Sequence, residues 1–549
     1  MKARMNPFAL KNALGTVAVL ITISLASAES IPTSKAPAVV VNTSNEPVAA
    51  GAFSPTWESL KNYQTPEWFR DAKFGIWACF GPQCQAEDGD WYGRGMYDTG
   101  SAQNKFHVAK YGPPEKFGFK DLIHQWRAEK WDPEKLLSLY KRAGAQYFFA
   151  MANHHDNFDC WNSKYQPWNS VNMGPKKDLI AGWAKAARAN GLRFGVSVHA
   201  SHAWTWFELA RNYDGELTSA DGQGSWWDGL DPQDLYAQNH ARSQNDFKTW
   251  DITPLWNWGN GASLPSQAYC DKFYNRTMDL INQVHPDLIY FDDTALPLWP
   301  VSDAGLKIAA HFYNRNQQWH GDDGVLLGKI LAPDQRRCMV WDIERGTSNE
   351  IEPRPWQTDT CIGDWHYQRA LYDHNGYKSA RTVIQMLADI VSKNGNLLLS
   401  IPVRGDGTID DKEEKIVNDV AAWMAVNKES IFGTRPWRVF GEGPATTGAN
   451  LSAQGFNEGK GKPFTAHDIR FTTKGTVLYA IVLGWPTNGV SLHSLGKMGK
   501  RQDPPIKKIE LLGSKEKIKW AQTTQALMIL QPKGQPSDLA IVFKITPKT

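Results

Sequence analysis

The chain has 549 residues and a formal net charge of +3, with 42% hydrophobic and 21% charged residues. The length excludes a single small domain, and the composition excludes a disordered chain. The near-balanced charge, with no Lys/Arg cluster, gives no nucleic-acid-binding face. Trp is abundant: 25 Trp exceed 23 Phe and 17 Tyr. Indole faces fill large cores and also stack on the apolar faces of sugars.

In chain order, Lys2, Arg4 and Lys11 flank or precede a short apolar stretch at 14–25, and Ala26-Ser27-Ala28 supplies the small residues of a cleavage site. This pattern predicts a signal peptide over 1–28, export to the periplasm or beyond, and no membrane anchor. Residues 29–64, rich in Pro, Ser, Ala and Val, are expected to be a linker. The six cysteines, Cys79, Cys84, Cys160, Cys270, Cys338 and Cys361, permit disulfides in an exported chain. They lack Cys-x-x-Cys or zinc spacing, so no structural metal is expected.

From Thr65 the chain alternates apolar runs with helical patterns. Strands are predicted at 74–80, 146–151, 192–199, 288–291, 338–341 and 396–401. Helices are predicted from Asp132-Pro133, where Asp caps and Pro takes the first position, and at 178–189, 268–284, 379–392 and 411–426. Apolar strands alternating with amphipathic helices form a parallel sheet covered on both faces. Over 65–437 this fits a (β/α)8-type barrel, irregular because only six strands are evident. A doubly wound sheet is the rival, but no Gly-x-Gly-x-x-Gly follows the first strand. Residues 205–265, with Trp226, Trp227, Trp250, Trp256 and Trp258, read as an insertion too polar for core, either walling a cleft or packing on itself. Residues 438–549 carry short alternating runs that predict a β-sandwich.

A barrel places its site at the C-terminal strand ends. Those ends deliver Cys79, then His154-His155-Asp156, then His199, then Asp292-Asp293, then Asp342-Ile343-Glu344. Two carboxylates on different strands are what glycoside hydrolysis needs, one attacking the anomeric carbon and the other protonating the leaving oxygen. Asp292, after four apolar residues, is the candidate nucleophile, and Asp293 suits a structural role. Adjacent histidines on a strand point to opposite faces, which argues against both His154 and His155 binding one metal.

Together these residues resemble glycoside hydrolase family 29, the α-L-fucosidases. The resemblance is carried by Lys73-Phe74-Gly75-Ile76, Asp90-Trp91-Tyr92, His154-His155-Asp156-Asn157-Phe158 with Trp161, and Pro286 to Asp292. It continues through Ser392 to Leu399, Gly405 to Ile409 and Asn427 to Trp437. It implies a retaining mechanism, a barrel with a C-terminal β-sandwich, a carbohydrate substrate and no cofactor. By position, Asp292 takes the nucleophile role, and His154, His155 and Trp91 contact the sugar. Trp77, Tyr290 and Trp365 surround the fucose methyl group, and Asp90 stands where the family has Glu. Glu344 is the chosen acid/base, with Glu350 and Glu352 as rivals. The chain departs from the family at Cys79, where the family has His, and at Ser197-Val198-His199, where it has Tyr-Tyr-Ser. These positions line the sugar pocket, and His199 could replace the lost histidine. An α-L-galactosidase, or an enzyme for a substituted fucose, is therefore the first alternative, and an inactive sugar-binding protein the second.

Overall fold

A computed structural model describes residues 37–244, 253–447, 451–452, 455–497 and 504–548. The predicted signal peptide, the first residues of the predicted linker and Trp250 lie outside these. Eight strands close a parallel barrel in sequence order: β1 Phe74–Ala78, β2 Tyr147–Asn153, β3 Arg193–Val198, β4 Leu288–Thr294, β5 Val325–Lys329, β6 Val340–Asp342, β7 Trp356–Cys361 and β8 Gly395–Ser400. The predicted strands all lie here, joined by β5 and β7, which the sequence pattern did not reveal. β5 is a short run after the turn Gly321 to Gly324. β7 reads Trp-Gln-Thr-Asp-Thr-Cys and breaks the apolar pattern expected of a strand buried on both faces.

The helices form where their ends are capped. Asp132 accepts from the Lys135 N–H ahead of helix Pro133–Arg142. Asp178 accepts from the Ala181 N–H ahead of helix Leu179–Ala189. Asp410 and Glu413 form a reciprocal capping box on helix Asp411–Asn427. Inside the barrel, Trp77, Phe149 and Gly195 share one register level. A Cβ on Gly195 would stand 2.7 Å from the Phe149 ring, so only glycine admits that ring to the barrel centre.

Two sequence expectations change. The described part of the predicted linker, 37–64, is packed: Val41, Phe53, Trp57, Leu60 and Tyr63 are buried in the main core. Val39 bridges to Ser302, and Asn314 Nδ2 donates to the backbone oxygens of Ala49 and Phe53 at 2.8 and 2.9 Å. The aromatic side chains in this stretch outweigh its linker-like composition. The insertion also contributes core: Trp206, Phe207, Trp227, Leu235 and Tyr236 are buried.

After the barrel, strands β9 Arg435–Glu442, β10 Ile469–Lys474, β11 Val477–Val482, β13 Ile506–Leu511 and β16 Ile541–Pro547 form one antiparallel sheet. β12 Val490–Leu492, β14 Trp520–Gln522 and β15 Leu527–Ile529 form a second. Phe471, Ile509 and Phe543 from the first pack with Leu492, Leu527 and Ile529 from the second in one apolar cluster, so the two are layers of a sandwich. Among the described residues no helix is long and apolar enough to cross a membrane.

The sandwich is tied to the barrel by a buried ion cluster. Arg470 on β10 donates from Nε to Asp389 at 2.6 Å, and Lys393 holds the other oxygen of the same carboxylate at 2.7 Å. Against the cost of burial, Lys393 and Arg470 pull Asp389 down to about 2. We expect Arg470→Met to cost about 3 kcal/mol in urea unfolding, because it strips a partner from a buried charge. A loss indistinguishable from zero would mean that the cluster does not hold the two domains together.

Candidate active site

The C-terminal strand ends converge on Asp292. This residue ends the apolar run of β4, and its two oxygens are held by different groups. Oδ2 accepts from His155 Nε2 at 3.0 Å and His199 Nδ1 at 3.2 Å. Oδ1 pairs with the Lys329 ammonium at the end of β5. Burial alone would raise the Asp292 carboxyl, but Lys329 and the two imidazoles hold it well below the usual carboxylate range. Its neighbour Asp293 is turned away into structure, accepting from Ser201 Oγ at 2.6 Å, His202 Nε2 at 3.1 Å and the Thr294 N–H at 2.7 Å.

Glu344, just beyond β6, pairs its Oε2 with the same Lys329 ammonium. Here burial dominates. Lys329 opposes it, Asp359 and Asp292 add to it, and the carboxyl is pushed up to about 7. The rivals stand elsewhere: Glu350 is exposed, and Glu352 accepts from Ser348 Oγ at 2.5 Å.

The histidines form a second layer. His154 and His155 follow β2 rather than lying within it, so the alternation argument does not apply. Their rings lie 4.4 Å apart, centre to centre, and both reach the same site. Donor atoms of His154, His155 and His199 lie within 4.8 Å of one another, as do those of Asp90, His154 and His366. Such spacing could hold a metal, but most of these nitrogens are already committed. Gln83 takes the Gly93 N–H on Oε1 at 3.2 Å, so its Nε2 donates to His154 Nδ1 at 2.8 Å. That leaves the His154 proton on Nε2, a donor. His155 faces acceptors at both nitrogens, the second being the His199 backbone oxygen at 2.8 Å. Burial lowers His199 to about 4. With Nδ1–H given to Asp292, its buried Nε2 is an acceptor that has no partner among the described residues. His366 Nδ1 binds Asp90 at 2.6 Å and likewise leaves Nε2 unpartnered. Donors and acceptors at fixed positions suit the hydroxyls of a sugar.

Aromatic side chains gather beside these histidines. Trp77 packs against Tyr290, Trp365 and His199 with ring centres 5.0, 5.4 and 5.9 Å away. Tyr290 is anchored through its hydroxyl, which donates to Asp359 at 2.9 Å. Trp91 sits at φ 58°, a left-handed conformation costing a non-glycine residue about 1 kcal/mol. This turn aims its ring edge-on to His155, 5.7 Å away. From the insertion, Trp256 stacks on His202 at 4.3 Å and on Trp91 at 5.8 Å, and Trp258 stacks on His202 at 4.8 Å. Trp226 instead stacks on His124 at 4.2 Å. One part of the insertion thus lies against the site, while Trp226 packs on His124 and donates to Asp121. Cys79 is buried beside Ser400, whose hydroxyl faces its sulfur at 3.8 Å, and burial keeps the thiol neutral by raising it well above its ordinary value. All six cysteines are free and buried.

Sequence reasoning missed three of these groups. Lys329 and His366 lie at or beyond the ends of β5 and β7, the two strands left unrecognised. Gln83 sits in a short 3-10 turn, Pro82–Gln85, directly after β1. The available signal was the apolar Val325-Leu326-Leu327 run, which ends in a cation where a barrel strand would end.

Comparison with known proteins then decides the family. The profile described as "Alpha-L-fucosidase" matches residues 40–429, most of the chain. The chain belongs to the α-L-fucosidase family. A second profile, "Alpha-L-fucosidase C-terminal domain", matches residues 462–546 of this family member. It is 25% identical to the tissue α-L-fucosidase of Homo sapiens over 560 residues, covering 97% of each chain. It is 24% identical to the mouse (Mus musculus) tissue enzyme, covering 91% of this chain and 95% of that one. The crystal structure of the Thermotoga maritima α-fucosidase superposes with a TM-score of 0.66 at 24% identity, covering 90% of this chain and all of that one, 100%; it shares the fold. The resemblance to family 29 and its barrel-plus-sandwich architecture therefore holds, and the chain is a glycosidase.

Proposed function

We propose that this family member is an exported, exo-acting, retaining α-L-fucosidase in which Asp292 is the nucleophile and Glu344 the general acid/base. The carrying observation is a pair of carboxyls sharing one ammonium in unlike surroundings, with Asp292 held well below the usual carboxylate range and Glu344 pushed up to about 7. Two hydrogen bonds to one nitrogen span at most roughly 5.8 Å. That limit supports the roughly 5–5.5 Å spacing of retaining enzymes over the wider gap that inverting enzymes need for water. In the first step Asp292 bonds to the anomeric carbon while Glu344 gives its proton to the departing oxygen. In the second, Glu344 takes a proton from water, whose oxygen displaces Asp292. His154 Nε2–H, His199 Nε2 and the Asp90–His366 pair supply hydroxyl contacts, and Trp77, Tyr290 and Trp365 form the apolar wall for the sugar's methyl group. Export rests on the N-terminal pattern of charge, apolar run and small residues.

Replacing Asp292 with Asn should lower turnover of an aryl α-L-fucoside on the order of 10⁴–10⁶-fold; a near-normal rate would remove the nucleophile assignment. Glu344→Ala should be rescued by azide when the leaving group is good, and an unaffected rate would move the role to another group. Turnover needs Asp292 ionised and Glu344 protonated. kcat/KM should therefore fall as pH rises through about 7, while on the acid side it persists to well below the ordinary carboxylate range.

A second reading, an α-L-galactosidase, has one observation in its favour. Ser197 pairs in register with Tyr290, and its buried Oγ has no hydrogen-bond partner among the described residues. An extra hydroxyl on the sugar's C6 would meet a polar group there, and apolar pockets reject an added hydroxyl only weakly. Assayed side by side, the aryl α-L-fucoside should have the higher kcat/KM, with the α-L-galactoside cleaved measurably. A reversed order would make the galactoside the substrate.

A further inference from the structure

Lys329 is the buried cation of this site, and its surroundings define a role. It closes β5, its backbone oxygen accepts the Ala295 N–H at 3.0 Å, and the residue is only 7% exposed. Its ammonium pairs with Asp292 from β4 and with Glu344 beyond β6, and lies 5.8 Å from the centre of the Tyr290 ring. The other titratable groups facing this cluster are Asp342 and Asp359, from β6 and β7, and His155 and His199 on the far oxygen of Asp292. Burial, reinforced at Asp359 by Asp342, raises Asp342 to about 6 and Asp359 well above its ordinary value. By geometry, the carboxyls that pair with Lys329 are Asp292 and Glu344.

We propose that Lys329 is the stationary counter-ion of both half-reactions, pairing with Asp292 before the glycosyl transfer and with Glu344 after it. The proposal rests on the nucleophile and acid/base roles given above, and the charges balance through both steps. At the start Asp292 is an anion, Lys329 a cation and Glu344 a neutral acid. As the Asp292–carbon bond forms and the bond to the leaving oxygen breaks, Glu344 releases its proton to that oxygen. Asp292 is then a neutral ester and Glu344 the anion. Water next bonds to the carbon, the ester bond breaks, and the water proton returns to Glu344. The triad sums to zero at each stage, and the negative charge passes between two oxygens that already touch one ammonium. No charged side chain has to move in a site with little solvent to follow it, which is the sense in which preorganised charge lowers a barrier.

Lys329 is a positioning residue on this account, so the test must separate charge from shape. In Lys329→Met both carboxyls lose the cation that lowers them. Both limbs of the kcat/KM–pH profile should move up by about 1–3 pH units, with a loss at the optimum on the order of 10²-fold. Lys329→Arg, which keeps the charge, should leave the limbs in place. Limbs unmoved in the Met variant, or moved equally in the Arg variant, would overturn the proposal. A measurement that needs no Lys329 variant uses Asp292→Asn, a neutral stand-in for the ester, with ¹³C-labelled glutamate and Glu344→Gln to assign the signal. There Glu344 should titrate at lower pH than in the parent protein; an equal or higher midpoint would overturn the proposal. If Asp292→Asn instead retains turnover, the failure belongs to the nucleophile assignment; if it is inactive and the limbs stay fixed, it belongs to Lys329 alone.

Discussion

One buried ammonium joined to two carboxyls sets the conditions for the rest of this site. An isolated ion at the top of a barrel pays several kcal/mol in lost hydration, and only close, hydrogen-bonded partners offset that cost. Asp292 has three such partners, Lys329, His155 and His199. Because Lys329 can satisfy one negative charge but not two, Asp292 and Glu344 cannot both ionise cheaply. The difference in their protonation follows from that shortage and from unequal numbers of donors, and it needs no difference in residue chemistry.

The barrel beneath is built to carry this load. A polar chain runs through its interior: Tyr147 donates to Gln357 at 2.9 Å, Gln357 to Asp342 at 2.7 Å, and Tyr290 to Asp359 at 2.9 Å. Burial raises both carboxyls above their ordinary values, and their hydrogen bonds go to Gln357 and Tyr290, while Lys329 pairs with Asp292 and Glu344. Among them stand large rings, with Trp77 and Phe149 buried at one level of the barrel. The two are joined at Tyr290, whose hydroxyl donates to Asp359 and whose ring packs on Trp77. Stability and chemistry are coupled here through the same residues.

Much of this was legible in the chain itself. The run from Leu288 to Asp292 announces a buried strand ending in a carboxylate, and the capped helices declare their own starts at Asp132, Asp178 and Ser379. What escaped is equally physical. β7 carries Gln357 and Asp359 inward, which is affordable only because other strands bring them partners, and no local pattern records that. Missing β5 and β7 hid Lys329 and His366, so the two carboxyls could be named from sequence but not the cation between them. The metal argument at His154 and His155 misfired for a related reason: strand alternation ends where the strand does, and both residues lie past that point.

The account stands or falls on which oxygen forms the bond to the sugar. A 2-deoxy-2-fluoro-α-L-fucosyl derivative with a good leaving group should be transferred to the enzyme and hydrolyse slowly. Peptide mapping by mass spectrometry should then find one added fluorofucosyl group, on the peptide that contains Asp292. A label on a different carboxylate, or prompt turnover with no labelled peptide and inverted product, would contradict it.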